Sequence, residues 1–258
     1  MLYGLEEKIS DFKRIVSEKK LSQSYLFFGD PQIGKFTFAG ALVNFLETGE
    51  FVPPSKDKPL VDAEFFLPEE SGNIGIETVR RFKQFIYQRP FSSSRRTAIF
   101  DSAQSLTPEA QNALLKIIEE PPQFALIIFI ANEISVFPQT LVSRFAKVYF
   151  PRLSQKSLEK YLKENCKLNS SDLSLTAKQS FGRIGRAIQL LEDSSKKKNL
   201  ADPESLPEYL EEQILFLRKN LLKNSSKLAW LLEREELIKR YNLNPKLQFK
   251  AISQKING

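Results

Sequence analysis

The sequence contains no histidine and a single cysteine, Cys166, among its 258 residues. The missing imidazole excludes serine-histidine triads and cysteine-histidine dyads, and one thiol excludes both an internal disulfide and a Cys/His zinc site. Cys166 is most simply a structural thiol. Any chemistry in this chain must therefore use carboxylates, lysine, arginine, hydroxyl groups or backbone amides.

Long apolar runs are also missing from the sequence. No uninterrupted apolar stretch approaches the roughly 18 residues of a membrane-spanning helix. The first 20 residues carry charges every few positions, where an export signal would have an apolar core. We therefore expect a soluble globular protein with a cytoplasmic location and no membrane partner.

The positive charge is concentrated near the C-terminus. Residues 194–258 hold 13 Lys and Arg against 8 Asp and Glu, a net charge of +5 out of +7 for the whole chain. Such a basic region can bind nucleic acid or an acidic protein, and it can also be a solvated helix face. Composition leaves these alternatives open.

The first half of the sequence alternates short apolar runs with segments of helical periodicity. This alternation predicts an α/β fold with a mostly parallel sheet and helices on both sides. The helix at 107–120 has the clearest signals, since Thr107 is a good N-cap, Pro108 suits the first helical position and Pro121 follows its end. The predicted strands lie in "SYLFFG", "AEFFLP", "TAIFD", "ALIIFIA" and "AKVYF".

The pattern changes after "FPRLS" at 150–154, where strands stop and short helices follow. The later part holds an amphipathic stretch with Leu, Ile and Trp230 on one side, which is either an internal core or a subunit interface. The predicted boundaries are 1–150, 151–193, 194–205 as a linker, and 206–258.

The stretch "FFGDPQIGKFT" at 27–37 is close to a phosphate-binding loop. Gly29, Gly34 and Lys35 occupy the motif positions, with an apolar strand before them and a helix after. An ordinary glycine-containing turn is the alternative. Phe36 stands where the motif needs a hydroxyl to ligate Mg²⁺, and Thr37 cannot replace it because one helical residue rotates the side chain by about 100°.

A second candidate lies in "RRTAIFDSAQSL" at 95–106. Asp101 ends an apolar strand, where phosphate-loop proteins place a metal-organising carboxylate. An active ATPase also needs a carboxylate beside it to polarise water, and this position is Ser102, whose hydroxyl is not a base near neutral pH. The alternative is a strand-terminating Asp-Ser turn.

These segments together resemble a known family. "DSAQSLTPEAQNALLKIIEEPP", "ALIIFIANE" and "LVSRF" are similar to the core of the clamp-loader ATPases of DNA replication, members of the AAA+ superfamily. The preceding stretch from "AEFFLP" to "TAIFD" resembles bacterial delta-prime subunits of the DNA polymerase III clamp loader. The resemblance covers about residues 5–193, with a weaker similarity in "YNLNPKLQFKAI". It implies an AAA+ core, a small helical lid and a short C-terminal helical collar domain.

The resemblance also implies roles for individual residues. Ser143 and Arg144 match the serine-arginine motif, whose arginine reaches the ATP site of a neighbouring subunit, although Arg144 could also merely cap a helix end. The position of the sensing arginine falls on Gly185, with Arg186 one residue later. The matches to the nucleotide loop, the metal-organising acid and the polar sensor, in a degenerate site, are Gly29, Gly34, Lys35, Asp101 and Asn132.

The resemblance thus implies a non-catalytic subunit, since Phe36, Ser102 and Gly185 replace groups needed for hydrolysis while Arg144 is kept. Its implied partners are the gamma/tau ATPase subunits, a clamp-opening delta subunit, the sliding clamp and primed DNA, in a hetero-oligomer. No cofactor is required, tight Mg-ATP binding is not expected, and the four-cysteine zinc module of some delta-prime subunits cannot form. The alternatives are an active clamp-loader ATPase and a DNA-binding module that uses the basic tail.

Overall fold

The computed structural model describes residues 2–55, 57–165, 170–195, 206–218, 221–241 and 245–257. The chain divides into two compact units, Met1–Gln189 and Leu190–Gly258. Cys166 and most of the predicted linker at 194–205 lie outside the described residues.

The first unit alternates strands and helices along the chain, followed by helices alone. Its described elements are α1 Glu6–Ser17, β1 Ser24–Phe28, α2 Lys35–Thr48, β2 Ala63–Phe66, α3 Ile76–Ile86, β3 Arg96–Phe100, a 3₁₀ turn Ala103–Ser105, α4 Pro108–Glu119, β4 Ala125–Ala131, α5 Gln139–Val142, β5 Ala146–Tyr149, α6 Gln155–Asn165, α7 Ser170–Ser180 and α8 Ile184–Ser195, which spans the unit boundary.

The five strands of the described residues form one sheet in the order β2-β3-β4-β1-β5. Every neighbouring pair is parallel, with Phe27 of β1 opposite Ile130 of β4, and Ile99 of β3 opposite Ile128 of β4. Parallel strands need crossover connections, and the helices between the strands supply them. This arrangement confirms the predicted α/β fold with a parallel sheet.

Helices cover both faces of the sheet. Because successive strand residues point to opposite faces, Leu26 and Phe100 pack in the apolar cluster that contains α3 and α4. Phe27 and Ile99 pack in the other cluster, with α1 and α2. Strands buried on both faces read as continuous apolar runs, which is why β1 and β4 were recognisable in the sequence.

Helical periodicity in the sequence predicts apolar stripes that include Ile76 on α3 and Ala113 on α4, but both residues lie outside the core. Ile76 on α3 is 38% exposed, and Ala113 on α4 is exposed. Given a rotation of about 100° per residue, Ile76 lies about 120° and Ala113 about 90° around its helix from the centre of the buried stripe. The predicted N-cap of α4 is confirmed, since the Thr107 hydroxyl oxygen accepts a hydrogen bond of 3.2 Å from the Ala110 N–H.

The second unit consists of helices in its described residues: α9 Leu206–Arg218, α10 Leu221–Tyr241 and α11 Pro245–Asn257. Leu228 and Leu231 belong to its internal core, and Trp230 packs against that core half-buried. For these two leucines the internal-core alternative is the observed one. The buried members of this core are Leu206, Leu210, Ile214, Leu217, Leu228, Leu231 and Ile252.

Within the described residues, no helix combines the length and the apolarity that a bilayer crossing needs.

Replacing Phe27 tests the packing of the first unit. Its ring is fully buried and lies 5.2 Å, centroid to centroid, from the ring of Phe150 and 5.8 Å from that of Phe38. We expect Phe27→Ala to lower the free energy of unfolding by about 3 to 5 kcal/mol, measured by urea denaturation. Phe91→Ala is the control, because Phe91 is 90% exposed and should change stability by less than about 0.5 kcal/mol. Equal effects of the two changes would contradict this packing.

Candidate functional site

The predicted phosphate loop connects β1 to α2. Gly29 has a φ of 137° and its N–H donates to the Asn132 carbonyl oxygen over 3.1 Å. A Cβ at Gly29 would overlap the Phe150 carbonyl oxygen, so only glycine fits. Gly34 has a φ of 96° and immediately precedes α2. Both predicted glycines therefore hold backbone conformations that the loop requires.

Lys35 is folded back into this loop. Its side chain is buried, and its ammonium donates to the carbonyl oxygens of Gly29 over 2.6 Å and of Asp30 over 2.5 Å. Burial lowers the pKa of Lys35 to about 8, against the opposing attraction of the Asp101 and Asp30 carboxylates. Any phosphate approaching the loop must compete with these two carbonyl groups for the ammonium.

Asp30 ties the loop to the segment that follows β5. Arg152 donates to both of its carboxylate oxygens, over 2.6 and 2.7 Å. These hydrogen bonds are the main reason why the pKa of Asp30 lies below its ordinary value, and they outweigh the effect of burial. The two-pronged geometry of a guanidinium suits such a pair. The phosphate loop is therefore fixed from outside as well as by Lys35.

The first turn of α8 contacts the loop through Gly185. Its N–H donates to the Gln32 carbonyl oxygen over 2.8 Å, and the Gln32 side chain donates to Gln189 over 2.9 Å. A Cβ at Gly185 would lie 3.0 Å from the Gln32 Cβ and 3.1 Å from its carbonyl oxygen. A larger side chain at this position would have to displace Gln32. The neighbouring Arg186 is buried.

The polar residues predicted at the strand ends lie near Lys35. Asp101 directly follows β3, and its N–H donates to the Phe66 carbonyl oxygen over 3.1 Å. Burial raises the pKa of Asp101, although the Ser102 N–H and the Lys35 charge act in the opposite direction. Asn132 directly follows β4. Parallel strands bring their carboxyl ends to one edge of the sheet, and Asp101, Asn132 and Lys35 line the same cavity there.

Phe36 fills the position that a metal-binding hydroxyl would need. Its ring is 42% exposed and packs against the ring of Phe65, with 5.1 Å between the centroids. A phenyl ring offers no lone pair to Mg²⁺, which prefers oxygen ligands. The contact with Phe65 gives this aromatic side chain a packing role beside the loop.

These residues surround a cavity of about 410 Å³ within the first unit. The cavity is lined by the loop, by the ends of β3 and β4, by residues near the N-terminus, and by residues on α6 and α8. Its lining residues include Tyr3, Leu5, Gly34, Lys35, Phe36, Asp101, Ser102, Asn132, Tyr161 and Gly185. A cavity of this size suits a small ligand.

Ser143 and Arg144 lie elsewhere, after α5, and do not line this cavity. The Arg144 guanidinium donates to the Thr140 carbonyl oxygen and to the carboxylate of Glu119, the last residue of α4. The Ser143 hydroxyl donates to the same Thr140 oxygen over 3.2 Å. The Arg144 side chain is 31% exposed. Its bond to the Thr140 carbonyl oxygen is the contact expected if Arg144 merely caps a helix end.

The part of the chain that the structure describes offers few groups that could bind a metal ion together. Within those residues, no three His, Cys, Asp or Glu side chains lie close enough to share a metal ion. Asp101 alone could contribute one carboxylate to a metal that a bound nucleotide brings with it.

The structure thus gathers one group of predicted residues and separates another. Lys35, Asp101 and Asn132 line one cavity, whereas Ser143 and Arg144 are not among its lining residues. Sequence reasoning missed the residues that hold these groups in place. Asp30 lies in the phosphate-loop stretch 27–37 and Arg152 lies in "FPRLS" at 150–154. Neither residue belongs to a sequence motif that would indicate its contact with the other. The missed residues are Asp30, Gln32, Glu119 and Arg152.

The buried ammonium of Lys35 should make stability depend on pH. Since its pKa is about 8 in the folded chain and 10.5 ordinarily, the unfolded chain binds more protons between these values. The free energy of unfolding should therefore rise with pH in that window, by at most about 1.4 kcal/mol per unit. Urea denaturation at several pH values measures this rise, which Lys35→Met should abolish and Lys156→Met, at an exposed position, should keep. An unchanged rise in Lys35→Met would refute this account.

Comparisons with known proteins agree with this geometry. A family model described as DNA polymerase III, delta subunit, matches residues 4–154. DNA polymerase III subunit gamma/tau of Mycoplasma pneumoniae is 26% identical over 207 residues, covering 73% of this chain and 30% of that protein. The chain spans only about a third of the length of the first curated relatives it matches.

Two solved structures share the fold. A gamma subunit-related protein from Thermotoga maritima has a TM-score of 0.61 and 18% identity, covering 95% of this chain and 98% of that one. The RuvB Holliday junction branch migration motor of the same organism has a TM-score of 0.53 and 14% identity, covering 95% and 72%. The family match extends over more than half of the chain, from residue 4, before α1, to residue 154, after β5. The chain therefore belongs to the DNA polymerase III delta-subunit family, within the clamp-loader AAA+ proteins.

Proposed function

We propose that this chain is a delta-prime-like, non-catalytic subunit of a DNA polymerase III clamp loader, which helps to place the sliding clamp on primed DNA. In this proposal Arg144 acts on the ATP site of a neighbouring subunit. The observation that carries the proposal is the position of Arg144 at the surface, outside a cavity whose own hydrolytic positions hold Phe36 and Ser102.

The chain's own cavity is poorly suited to hydrolysis. Phe36 supplies no metal ligand and instead packs on Phe65. Ser102 supplies no base, and its φ of 51° places it in a tight turn beside Asp101. Lys35 is engaged with carbonyl groups of its own loop. Nucleotide binding would have to break these bonds without a protein ligand for Mg²⁺ at position 36.

Arg144 is suited to act on another subunit. Its present acidic partner, Glu119, is 46% exposed, and a surface ion pair of this kind contributes only about 0 to 1 kcal/mol. A triphosphate carries more negative charge than one carboxylate, so it can replace Glu119 as the partner of the guanidinium. An arginine supplied in trans accelerates phosphoryl transfer by about 10³ to 10⁵.

The proposal also includes the organisation and the partners of the chain. Its parts would be the AAA+ core at 1–150, the lid at 151–193, the linker at 194–205 and the collar at 206–258. The partners would be gamma/tau ATPase subunits, a clamp-opening delta subunit and, through the complex, the sliding clamp and primed DNA. The site of action would be the cytoplasm.

Arg144→Ala tests the action in trans. In a complex reconstituted from the subunits of the same organism, hydrolysis at the neighbouring site should slow by about 10³-fold or more, because the transition-state charge loses its guanidinium. Clamp- and DNA-stimulated single-turnover ATP hydrolysis measures this effect. Arg14→Ala, at an exposed position on α1, is the matched control. Unchanged hydrolysis in an intact complex containing Arg144→Ala would exclude this role.

The active-ATPase alternative also has a supporting observation, since Lys35, Asp101 and Asn132 share one cavity. It predicts Mg-dependent hydrolysis by the purified chain. We expect hydrolysis at background, equal in the wild type and in Lys35→Ala, measured by phosphate release. Activity that required both Mg²⁺ and Lys35 would favour the enzyme and would overturn the non-catalytic proposal.

A further inference from the structure

The guanidinium of Arg144 has two acceptors in this chain, and they differ in kind. One is the Thr140 carbonyl oxygen, four residues earlier in the same turn. The other is the carboxylate of Glu119, which lies 25 residues earlier and ends α4. The first contact is local, whereas the second joins Arg144 to a different helix. Glu119 is also the charged member of this pair of acceptors.

The backbones on both sides of the ion pair are fixed by one apolar core. Ile118 immediately precedes Glu119, and Phe145 immediately follows Arg144. These two apolar side chains are 3% and 5% exposed and belong to the same buried cluster. The side chains of Glu119 and Arg144, in contrast, are 46% and 31% exposed. The ion pair can therefore break by rotation of side chains alone, without movement of α4.

Helix α4 itself gains nothing from an acid at its end. The last carbonyl groups of an α-helix lack intrahelical donors and carry partial negative charge, so acidic side chains are unfavourable there. Glu119 is the last residue of α4, and Glu120 is its C-cap. The contact with Arg144 gives a reason for the carboxylate at position 119 that the helix does not.

Release of Arg144 from these contacts would leave few groups unsatisfied. The Ser143 hydroxyl donates to the same Thr140 carbonyl oxygen over 3.2 Å, so this acceptor keeps a donor. Water can solvate the Glu119 carboxylate, because nearly half of that side chain is exposed. An exposed ion pair shifts an equilibrium by no more than about 5-fold. The contact can thus bias the guanidinium and still yield to a triphosphate.

We propose that Glu119 is a positioning residue that restrains Arg144 until the chain is held against the ATP site of a neighbouring subunit. This inference rests on the proposed action of Arg144 in trans and adds its regulation. The carboxylate and the triphosphate compete for one guanidinium, so the fraction of complexes with Arg144 engaged depends on how closely the neighbouring site is held. Clamp and DNA would then stimulate hydrolysis in part by moving this balance.

The charges favour competition over a shared contact. The two terminal nitrogens of Arg144 are bonded to Thr140 and Glu119, and a phosphate that binds a guanidinium in the two-pronged geometry needs two such N–H groups. A carboxylate left beside a triphosphate would also add like-charge repulsion. Glu119 and the phosphate are therefore alternative partners of Arg144.

Glu119→Gln tests this inference in a complex reconstituted from the subunits of the same organism. Single-turnover ATP hydrolysis at the neighbouring site is measured without and with clamp and primed DNA. Loss of the charge frees Arg144, so we expect the unstimulated rate to rise by about 2- to 5-fold. The stimulated rate should not change, because Arg144 is already engaged under those conditions.

Two further variants control for the change in charge. Glu120→Gln removes the same charge at the next position, which is exposed, and should leave both rates unchanged. Glu119→Asp keeps the charge on a shorter side chain, and its unstimulated rate should lie closer to the wild type than that of Glu119→Gln. Sedimentation of each complex checks that all subunits are present.

A double variant separates release of Arg144 from a structural effect. With Arg144→Ala in place, Glu119→Gln should change neither rate, since no guanidinium remains to be freed. The inference is overturned if Glu119→Gln lowers both rates, leaves both unchanged, or raises the unstimulated rate in the absence of Arg144 as well.

The same data distinguish this inference from the proposed function. If Arg144→Ala slows hydrolysis while Glu119→Gln has no effect, only the restraint by Glu119 is wrong. If Arg144→Ala leaves hydrolysis unchanged in an intact complex, the action in trans is wrong and the inference fails with it.

Discussion

The organisation of the candidate site depends on one buried ammonium group. Lys35 must be hydrogen-bonded because an unpaired buried charge is costly, and it bonds to the carbonyl groups of Gly29 and Asp30 in its own loop. In this closed loop, the Asp30 carboxylate accepts hydrogen bonds from Arg152, and the Gln32 carbonyl oxygen accepts one from the Gly185 N–H. The predicted phosphate loop is therefore part of the packing between the sheet and helix α8.

The distribution of functional groups follows from this packing. A Cβ at position 185 would lie 3.0 Å from the Gln32 Cβ, so a side chain there would need Gln32 to move by a few tenths of an ångström, and glycine therefore favours the close contact between α8 and the loop. Phe36 packs against Phe65, at the position where the phosphate-loop motif has a hydroxyl that ligates Mg²⁺. In the proposed function, Phe36 and Gly185 would favour a closed loop over hydrolysis in cis, whereas Arg144 lies outside the cavity.

The fold was largely predictable from local patterns, and the contacts that fix the site were not. The strands β1 and β4 appear in the sequence as continuous apolar runs, and α4 carries its N-cap and its terminating prolines. The pairs that organise the site join Asp30 to Arg152 and Glu119 to Arg144, which are 122 and 25 residues apart. No periodicity connects such positions, and only the folded chain brings them together. Local patterns can also predict too much burial. Ile76 and Ala113 fit the apolar periodicity of their helices, but both lie beyond the edge of the buried face.

Two groups of the first unit that could bind a phosphate are hydrogen-bonded to other groups of the same unit. Carbonyl oxygens of the loop take the ammonium of Lys35, and the Asp62 carboxylate takes three consecutive N–H groups that could otherwise receive an anion. Both interactions are buried, so an incoming phosphate would have to displace well-placed partners. The ion pair of Arg144 with Glu119 differs because it is partly exposed and has one acidic partner at the surface. Among these three, the Arg144 contact is the one that an external phosphate can replace at the smallest cost in free energy, and this difference supports the proposed action of Arg144 in trans.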